Sequence, residues 1–329
     1  MHYSSSTKTA GLKLEKGRKY ALKLEYYQTT GDAVARLVWT SEVGSEPVAD
    51  AVRAAKDADV VVAMVGITAD LEGEEMKVDI EGFKGGDRTS IDLPKQEAQL
   101  LEAVSKTGKP LIVVLMNGSA LAVNWADQHA NAILESWYSG EEGGTAIAET
   151  LAGVNNPAGR LPVTFYTGLD ALPNFEDYSM KNRTYRYFEG KPLYPFGHGL
   201  SYSKFEYRNV KLSSPCVKAG DALTLEADVR NASKRDGDEV VQVYLNFPKL
   251  PGAPNRALRA FRRVHLAAGG QQHMRFDLSA RDLSMVNSHG DRMMAAGAYT
   301  LSIGGGQPGT GAVVSEPRFT IAGDLKLPE

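Results

Sequence analysis

Residues 111–118 read LIVVLMNG, an apolar run rich in β-branched side chains and closed by Asn117-Gly118. A strand with one solvated face alternates in polarity. A strand without alternation is buried on both faces, as in a parallel sheet with helices above and below. The neighbouring sequence fits such a layer. Upstream, PKQEAQLLEAVSKTGK (94–109) predicts a helix with Leu100, Leu101 and Val104 on one face, Pro94 near its first turn and Gly108 at its end. Before that, ADVVVAMVG (58–66) predicts a second buried strand, preceded by the helical pattern VADAVRAAKDA (48–58). Downstream come a short helix around Trp125 and Ala126, the strand AILESWYSG (132–140), the helix GGTAIAETLAG (143–153) and a terminal strand GRLPVTF (159–165). Strands alternating with helices define a parallel α/β layer, with its strand-to-helix loops gathered on one edge.

One of those loops is long and acidic. Residues 66–94, GITADLEGEEMKVDIEGFKGGDRTSIDLP, separate the first strand from its helix and carry Glu72, Glu74, Glu75, Glu81 and the pair Asp87-Arg88. Connections of this length are uncommon in compact domains unless they bind, gate or are disordered. The carboxyl end of a parallel strand is where α/β folds place ligands. Two carboxylates suffice for glycoside hydrolysis: one protonates the leaving oxygen, and the other attacks the sugar or activates water. The crowding of Glu72, Glu74 and Glu75 suits a carboxyl that must hold its proton near neutral pH. It suits a solvated acidic patch equally well.

Composition narrows the remaining classes. Apolar residues make up 43% and charged residues 23% of the 329-residue chain, ordinary values for a soluble globular protein of two or three domains. A net charge of -3 and the lack of a Lys/Arg run argue against nucleic acid as a partner. No apolar stretch approaches the roughly 20 residues that span a bilayer, so no membrane association is expected. The first residues, MHYSSSTKTAGLKLEKG, have no apolar core of the kind a signal peptide needs. Cys216 is the single cysteine, which excludes an intrachain disulfide. The histidines form no H-x-x-x-H pair, and neither a metal nor a cofactor is expected.

The two flanks of the α/β layer are β-rich. Residues 1–42 contain the alternating run Tyr20, Leu22, Leu24, Tyr26 and a hairpin partner VARLVWT (34–40), too little sheet to stand alone. They therefore read as the tail of another β domain. Residues 167–203 are aromatic and proline-rich, a wrapped linker. From residue 204 the strands LTLEADVRN, EVVQVYLNF, MRFDL, AYTLSIG and RFTI predict an antiparallel sandwich of immunoglobulin or fibronectin kind. Gly304-Gly305-Gly306-Gln307-Pro308-Gly309 satisfies G-x-G-x-x-G, but no helix follows, so it is read as a flexible hairpin tip. Gly118-Ser119 follows a strand as a nucleophile elbow does, yet Leu121 stands where the closing glycine belongs. His198 reads as a structural hydrogen-bonding residue.

As an ordered set, LEGEE, GGDRTSIDLP, VLMNGSALAVNWA, AILESWYSGEEGGTAIAETLAG, NPAGRLPVTFY and YFEGKPLYPFGHGLSYSKFEY resemble the carboxyl-terminal part of glycoside hydrolase family 3 β-glucosidases and β-xylosidases. EVVQVYLNFP, FRRVHLAAG and AGAYTLSIG are similar to the fibronectin type III-like domain that ends many of them. The opening residues resemble the end of the protective-antigen-type sandwich inserted in some members. The resemblance implies four parts: a sandwich tail (1–42), the family's α/β domain (47–166), an aromatic linker (167–203) and a fibronectin type III-like domain (204–322).

It also implies a catalytic assignment. The family's acid/base glutamate lies on a loop of the form G-(x)-E-x-E-G-x-D-R, and the usual spacing of eight residues from Gly66 lands on Glu74, with Glu72 at the earlier acidic position. Glu75 replaces the usual glycine. Glu81-Gly82-Phe83 restores an E-G-x order nearer Asp87-Arg88, which makes Glu81 a competitor. Arg88 is expected to pair with a carboxylate, and Asp87 to be that partner or a turn residue. The family's nucleophilic aspartate belongs to a (β/α)8 barrel that this sequence lacks. The chain is accordingly expected to be a fragment of a retaining exo-β-glycosidase, inactive alone, with that barrel as partner and a terminal β-glycoside or oligosaccharide as substrate. By resemblance, the full-length enzyme is periplasmic or extracellular. The alternative is a non-catalytic carbohydrate-binding or partner-docking module, with Tyr185, Tyr187, Phe188, Tyr194 and Phe196 either stacking on sugars or forming the core of the linker.

Overall fold

The computed structural model describes residues 14–15, 17–25, 47–69, 71–73, 75, 78 and 80–328. The chain divides into two units, residues 1–50 and 51–329. In the first unit, residues 18–25 form no strand, and Tyr20, Leu22 and Leu24 are exposed. The alternation expected there does not become a half-buried strand, because so short a stretch has no packed face to bury. The hairpin partner expected for it lies outside the described residues.

The second unit begins within helix α1 (Pro47–Lys56) and leads into strand β1 (Val61–Gly66). A small hairpin of β2 (Phe83–Lys84) and β3 (Asp87–Arg88) follows. Next come α2 (Lys95–Ser105), β4 (Leu111–Met116), α3 (Asn124–His129), β5 (Ala132–Glu135) and α4 (Gly143–Leu151). The three longer strands form a parallel sheet in the order β1-β4-β5, with Val61 opposite Leu111 and Ile112 opposite Ala132. β4 is central and covered on both faces, with Val113 and Val114 inaccessible to solvent, as its unbroken apolar run predicts. Leu101 and Val104 of α2, Ala55 of α1 and Ala126 of α3 close one face of the layer. β1 is different. As the outer strand of this sheet it exposes Val62 and Met64.

Residues 159–165 do not form the expected terminal strand. Pro162 removes a donor there. The segment instead exchanges backbone bonds with the aromatic linker: Leu161 N donates to His198 O (2.8 Å), Gly197 N to Leu161 O (2.8 Å), and Phe165 N to Tyr194 O (2.9 Å). The linker carries the single-turn helix α5 (Thr184–Tyr187). Several of its aromatic rings pack on one another and on the domains they join, while Phe175 and Tyr178 are almost wholly exposed. Tyr185 stacks on Phe196 at 4.2 Å and meets Tyr244 edge-on, and Tyr194 stacks on His198. For Tyr185, Tyr194 and Phe196 this packing fits the core role, one of the two expected for them. The His198 ring meets the linker by stacking on Tyr194, and burial pushes its pKa down.

The carboxyl-terminal sandwich comprises β6 (Phe205–Leu212), β7 (Cys216–Lys218), β8 (Leu223–Asn231), β9 (Gly237–Asn246), β10 (Arg256–Leu266) and β11 (Gln271–Leu278). It continues through β12 (Met285–Val286), β13 (Arg292–Met294), β14 (Gly297–Gly304), β15 (Val314–Ser315), β16 (Arg318–Ala322) and β17 (Leu325–Lys326). One sheet runs β10-β9-β14-β16-β7, with β15 added to β14, and faces the sheet β11-β8-β6. Leu225, Val229, Val243, Leu245, Met274 and Leu301 fill the space between them. β8 alternates strictly between buried and half-buried positions, which is the period read from LTLEADVRN.

The glycine-rich stretch after β14 is not a flexible tip. A Cβ on Gly304 would lie 2.3 Å from Val313 O, Gln307 is buried, and Gly305 O accepts from Arg160 Nε and Gln242 Nε2. The glycines permit close backbone approach where the α/β layer meets the sandwich. Arg160 also forms a buried ion pair with Glu239 (2.9 Å), and Asn156 Nδ2 donates to Ser203 Oγ and Asp236 O, both at 2.8 Å. Arg235 Nη2 donates to the carbonyls of Gly153, Val154 and Asn155 just beyond α4.

Candidate active site

The carboxyl ends of β1, β4 and β5 bring together residues far apart in sequence. Each strand stops at a feature that its geometry requires. Gly66 ends β1 at φ 146°, and a Cβ there would sit 1.9 Å from Met116 O on the neighbouring strand. Its N–H donates to Glu97 Oε2 of α2 at 2.8 Å, and Glu97 is pushed above the usual carboxylate range by burial. β4 runs into Asn117-Gly118-Ser119, and β5 into Ser136-Trp137-Tyr138.

Glu72 lies where these ends converge. Ser119 Oγ donates to Glu72 Oε1 at 2.6 Å, and Tyr138 OH donates to Glu72 Oε2 at 2.5 Å. Arg88 Nη1 stands 4.0 Å from Glu72 Oε1 and donates to Ser119 Oγ at 3.0 Å. The guanidinium also reaches the carbonyls of Ala120 and Asp92. Burial lowers the Arg88 pKa, partly offset by Glu72, Asp92 and Tyr138. Burial and the Glu72 carboxylate together raise the Tyr138 hydroxyl pKa. Gly118 is required: a Cβ there would lie 2.5 Å from the Tyr138 ring and 3.3 Å from Glu72 Oε2.

A second carboxylate sits behind this group. Glu135 Oε1 accepts the Trp137 N–H (3.0 Å), and its Oε2 accepts from Asn117 Nδ2 (3.3 Å). The first bond holds Trp137 in the left-handed region at φ 55°, a strained setting for an aromatic residue that turns Tyr138 toward Glu72. Desolvation pushes the Glu135 carboxyl up to about 7.

The other sequence candidates fall differently. Glu74 lies outside the described residues, between Gly73 and Glu75, which are described. Glu81 is exposed just before the β2–β3 hairpin. Asp87 is exposed and is not the partner of Arg88. Adjacent strand residues point to opposite faces, so Arg88 turns inward to Glu72 while Asp87 turns to solvent. Ser119 stood out in the sequence only as a failed nucleophile elbow, and Tyr138, Asn117 and Glu135 did not stand out at all. Their only signal there is position, immediately at or after the ends of predicted parallel strands. Among the described residues no group of three or more His, Cys, Asp or Glu side chains is arranged to hold a metal ion. No described helix is long and apolar enough to cross a membrane.

A parallel α/β layer with a carboxylate loop pinned across its strand ends, followed by a fibronectin-like sandwich, has clear counterparts among known proteins. The signature of the glycosyl hydrolase family 3 C-terminal domain matches residues 5–202, and that of a fibronectin type III-like domain matches residues 239–307. The chain belongs to glycoside hydrolase family 3. It is 38% identical over 295 residues to a xylan 1,4-β-xylosidase of Xylanibacter ruminicola, covering 89% of this chain and 34% of that protein. It is 37% identical over 268 residues to a periplasmic β-glucosidase of Salmonella typhimurium, covering 78% and 34%. Among solved structures, a β-glucosidase from Erythrobacter marinus superposes with a TM-score of 0.71 at 32% identity, covering 84% of this chain and 36% of that one. The chain thus spans about a third of the length of the curated relatives it matches.

Proposed function

We propose that this chain supplies the acid/base side of the active site of a retaining exo-β-glycosidase, acting on terminal β-linked glucose or xylose. In this reading the nucleophilic aspartate comes from a (β/α)8 barrel outside the chain, and the enzyme works in the periplasm or outside the cell. The observation that carries the proposal is the anchoring of the glutamate loop. Its Glu72 is gripped by Ser119 and Tyr138 beside Arg88, at the strand ends where an α/β layer meets its ligand. Accepting hydrogen bonds from two hydroxyls suits Glu72 as an anchor rather than as a proton donor. The anchor fixes the start of the stretch that includes Glu74, two residues on, to which we assign the acid/base role. Glu81, exposed at the hairpin, is the competitor. A retaining mechanism brings the acid/base and nucleophile carboxyls to about 5 Å, so the chain alone should not turn over nitrophenyl β-glucoside or β-xyloside. Turnover by the purified chain would remove the need for a barrel. In an enzyme that joins the chain to its barrel, Glu74→Gln should lose most activity on poor leaving groups and keep more on activated aryl glycosides. If Glu81→Gln shows that signature instead, the role passes to Glu81.

A further inference from the structure

Two hydroxyls hold Glu72, that of Ser119 in the turn after β4 and that of Tyr138 in the turn after β5. Both turns lead back to one carboxylate. Glu135 Oε1 accepts the Trp137 N–H at 3.0 Å and so fixes the residue before Tyr138. Glu135 Oε2 accepts from Asn117 Nδ2 at 3.3 Å, and the same nitrogen donates to Ser119 O at 2.7 Å. The turns also touch directly, since a Cβ on Gly118 would come within 2.5 Å of the Tyr138 ring. Among the described residues no cation pairs with Glu135. The other charged and titratable groups at these strand ends are engaged elsewhere: Arg88 and Tyr138 with Glu72, and Glu97 with the Gly66 N–H.

The Asn117 amide is the element with two arrangements. Asn117 is wholly inaccessible to solvent, its Nδ2 makes both bonds, and its Oδ1 is buried without a hydrogen-bond partner. That orientation suits an ionised Glu135, because a carboxylate only accepts. A proton on Oε2 sets two donors against each other, Oε2–H and Nδ2–H. Turning the amide over brings Oδ1 round to accept from Oε2–H, which also satisfies the orphaned oxygen. The same turn takes Nδ2 away from Ser119 O. Desolvation pushes the Glu135 carboxyl up to about 7, so both forms are populated near neutral pH.

We propose that Glu135 is a positioning residue for the glutamate loop: ionised, it holds Ser119 and Tyr138 against Glu72 through Asn117 and Trp137, and protonated it turns the Asn117 amide and frees Ser119. The proton comes from solvent, and no bond between heavy atoms changes. The two energies run in opposite directions. The fold as a whole favours the proton because desolvation dominates, whereas the hydrogen bonds that hold Glu72 in place favour the charge. The consequence for catalysis rests on reading this loop as the acid/base side of the site, and the switch itself does not.

NMR of the purified chain, titrated from about pH 5 to about pH 9, reads the switch directly. The Glu135 carboxyl carbon, the Trp137 and Ser119 amides and the Asn117 side-chain amide should move together, with a shared midpoint of about 7. Leu71 N–H, which bonds Thr68 O beside Glu72, should exchange about fivefold faster below that midpoint than above it, after correction for its intrinsic pH dependence. Glu135→Gln, which aims a permanent donor at Asn117, should abolish the shared midpoint and keep Leu71 in fast exchange throughout. Asn117→Ala should silence the Ser119 response and leave that of Trp137. The titration of the unaltered chain decides the matter even if either variant fails to fold. Glu135 titrating at its ordinary 4.5, or titrating near 7 while Asn117, Ser119 and Leu71 stay unchanged, would overturn the proposal. None of these readouts needs hydrolysis, and Glu74→Gln kinetics do not report them, so the two ideas fail separately.

Discussion

The α/β layer and the sandwich solve the same packing problem differently. The sandwich surrounds its core: Leu225, Val229, Leu245 and Leu301 are wholly inaccessible between two sheets. The α/β layer covers both faces only of its central strand: β1 buries Ala63 and Val65 but leaves Val62 and Met64 in solvent. The sandwich spends its sequence on stability. The layer spends its sequence on presenting side chains, and its buried titratable groups sit where the strands end.

That contrast can be broken at several points. The largest effect is expected at the joint, where Arg160→Met strands a buried Glu239, a carboxyl already pushed upward by desolvation. The loss in denaturant titrations should be about 3–5 kcal/mol, largely recovered when Glu239→Leu is added. In the sandwich, Leu245→Ala should cost about 2–5 kcal/mol in the same assay. A value under about 1 kcal/mol would mean that this core is looser than its burial implies.

At the strand ends the signature is pH. Glu135 titrates near 7 when folded, above its ordinary 4.5, so the folded chain holds an extra proton between those values. Stability should therefore fall as pH rises from about 4.5 to about 7 and level off above, by at most about 1.4 kcal/mol per pH unit. Glu135→Gln should flatten that slope. Ser119→Ala, which removes one of the Glu72 donors and an Arg88 acceptor, should cost about 1–3 kcal/mol. Faster hydrogen exchange of Thr89 N–H, which bonds Gly82 O across the β2–β3 hairpin, would report it. The smallest change belongs to exposed β1: Val62→Thr should stay within about 0.5 kcal/mol.

Much of the architecture was legible because it follows from local period. LIVVLMNG gave a central parallel strand, and LTLEADVRN gave β8 residue for residue. Context overruled the local signal elsewhere. GRLPVTF has strand-like side chains but pairs with the linker, and GGGQPG has turn composition but is packed against Arg160. The glutamate loop was legible as a place but not as a geometry. Glu72 meets Ser119 and Tyr138 across 47 and 66 residues of chain, a distance that no spacing rule reaches. Asp87 and Arg88 stood as natural partners in sequence, and strand pleating separates them.

Arg235 has a consequence for how this joint tolerates change. Its guanidinium, on the sandwich side, grips three successive backbone carbonyls beyond α4. Carbonyls are common to every residue type, so side chains at Val154 and Asn155 can vary without altering the acceptors offered. Arg235 has no such freedom, since the guanidinium that offers Nη2 to these oxygens also lies 5.3 Å over the Tyr202 ring, a planar stacking that a lysine ammonium does not reproduce. This stretch of the seam is therefore written on the sandwich side, while Arg160 and Asn156 write their part of it from the other.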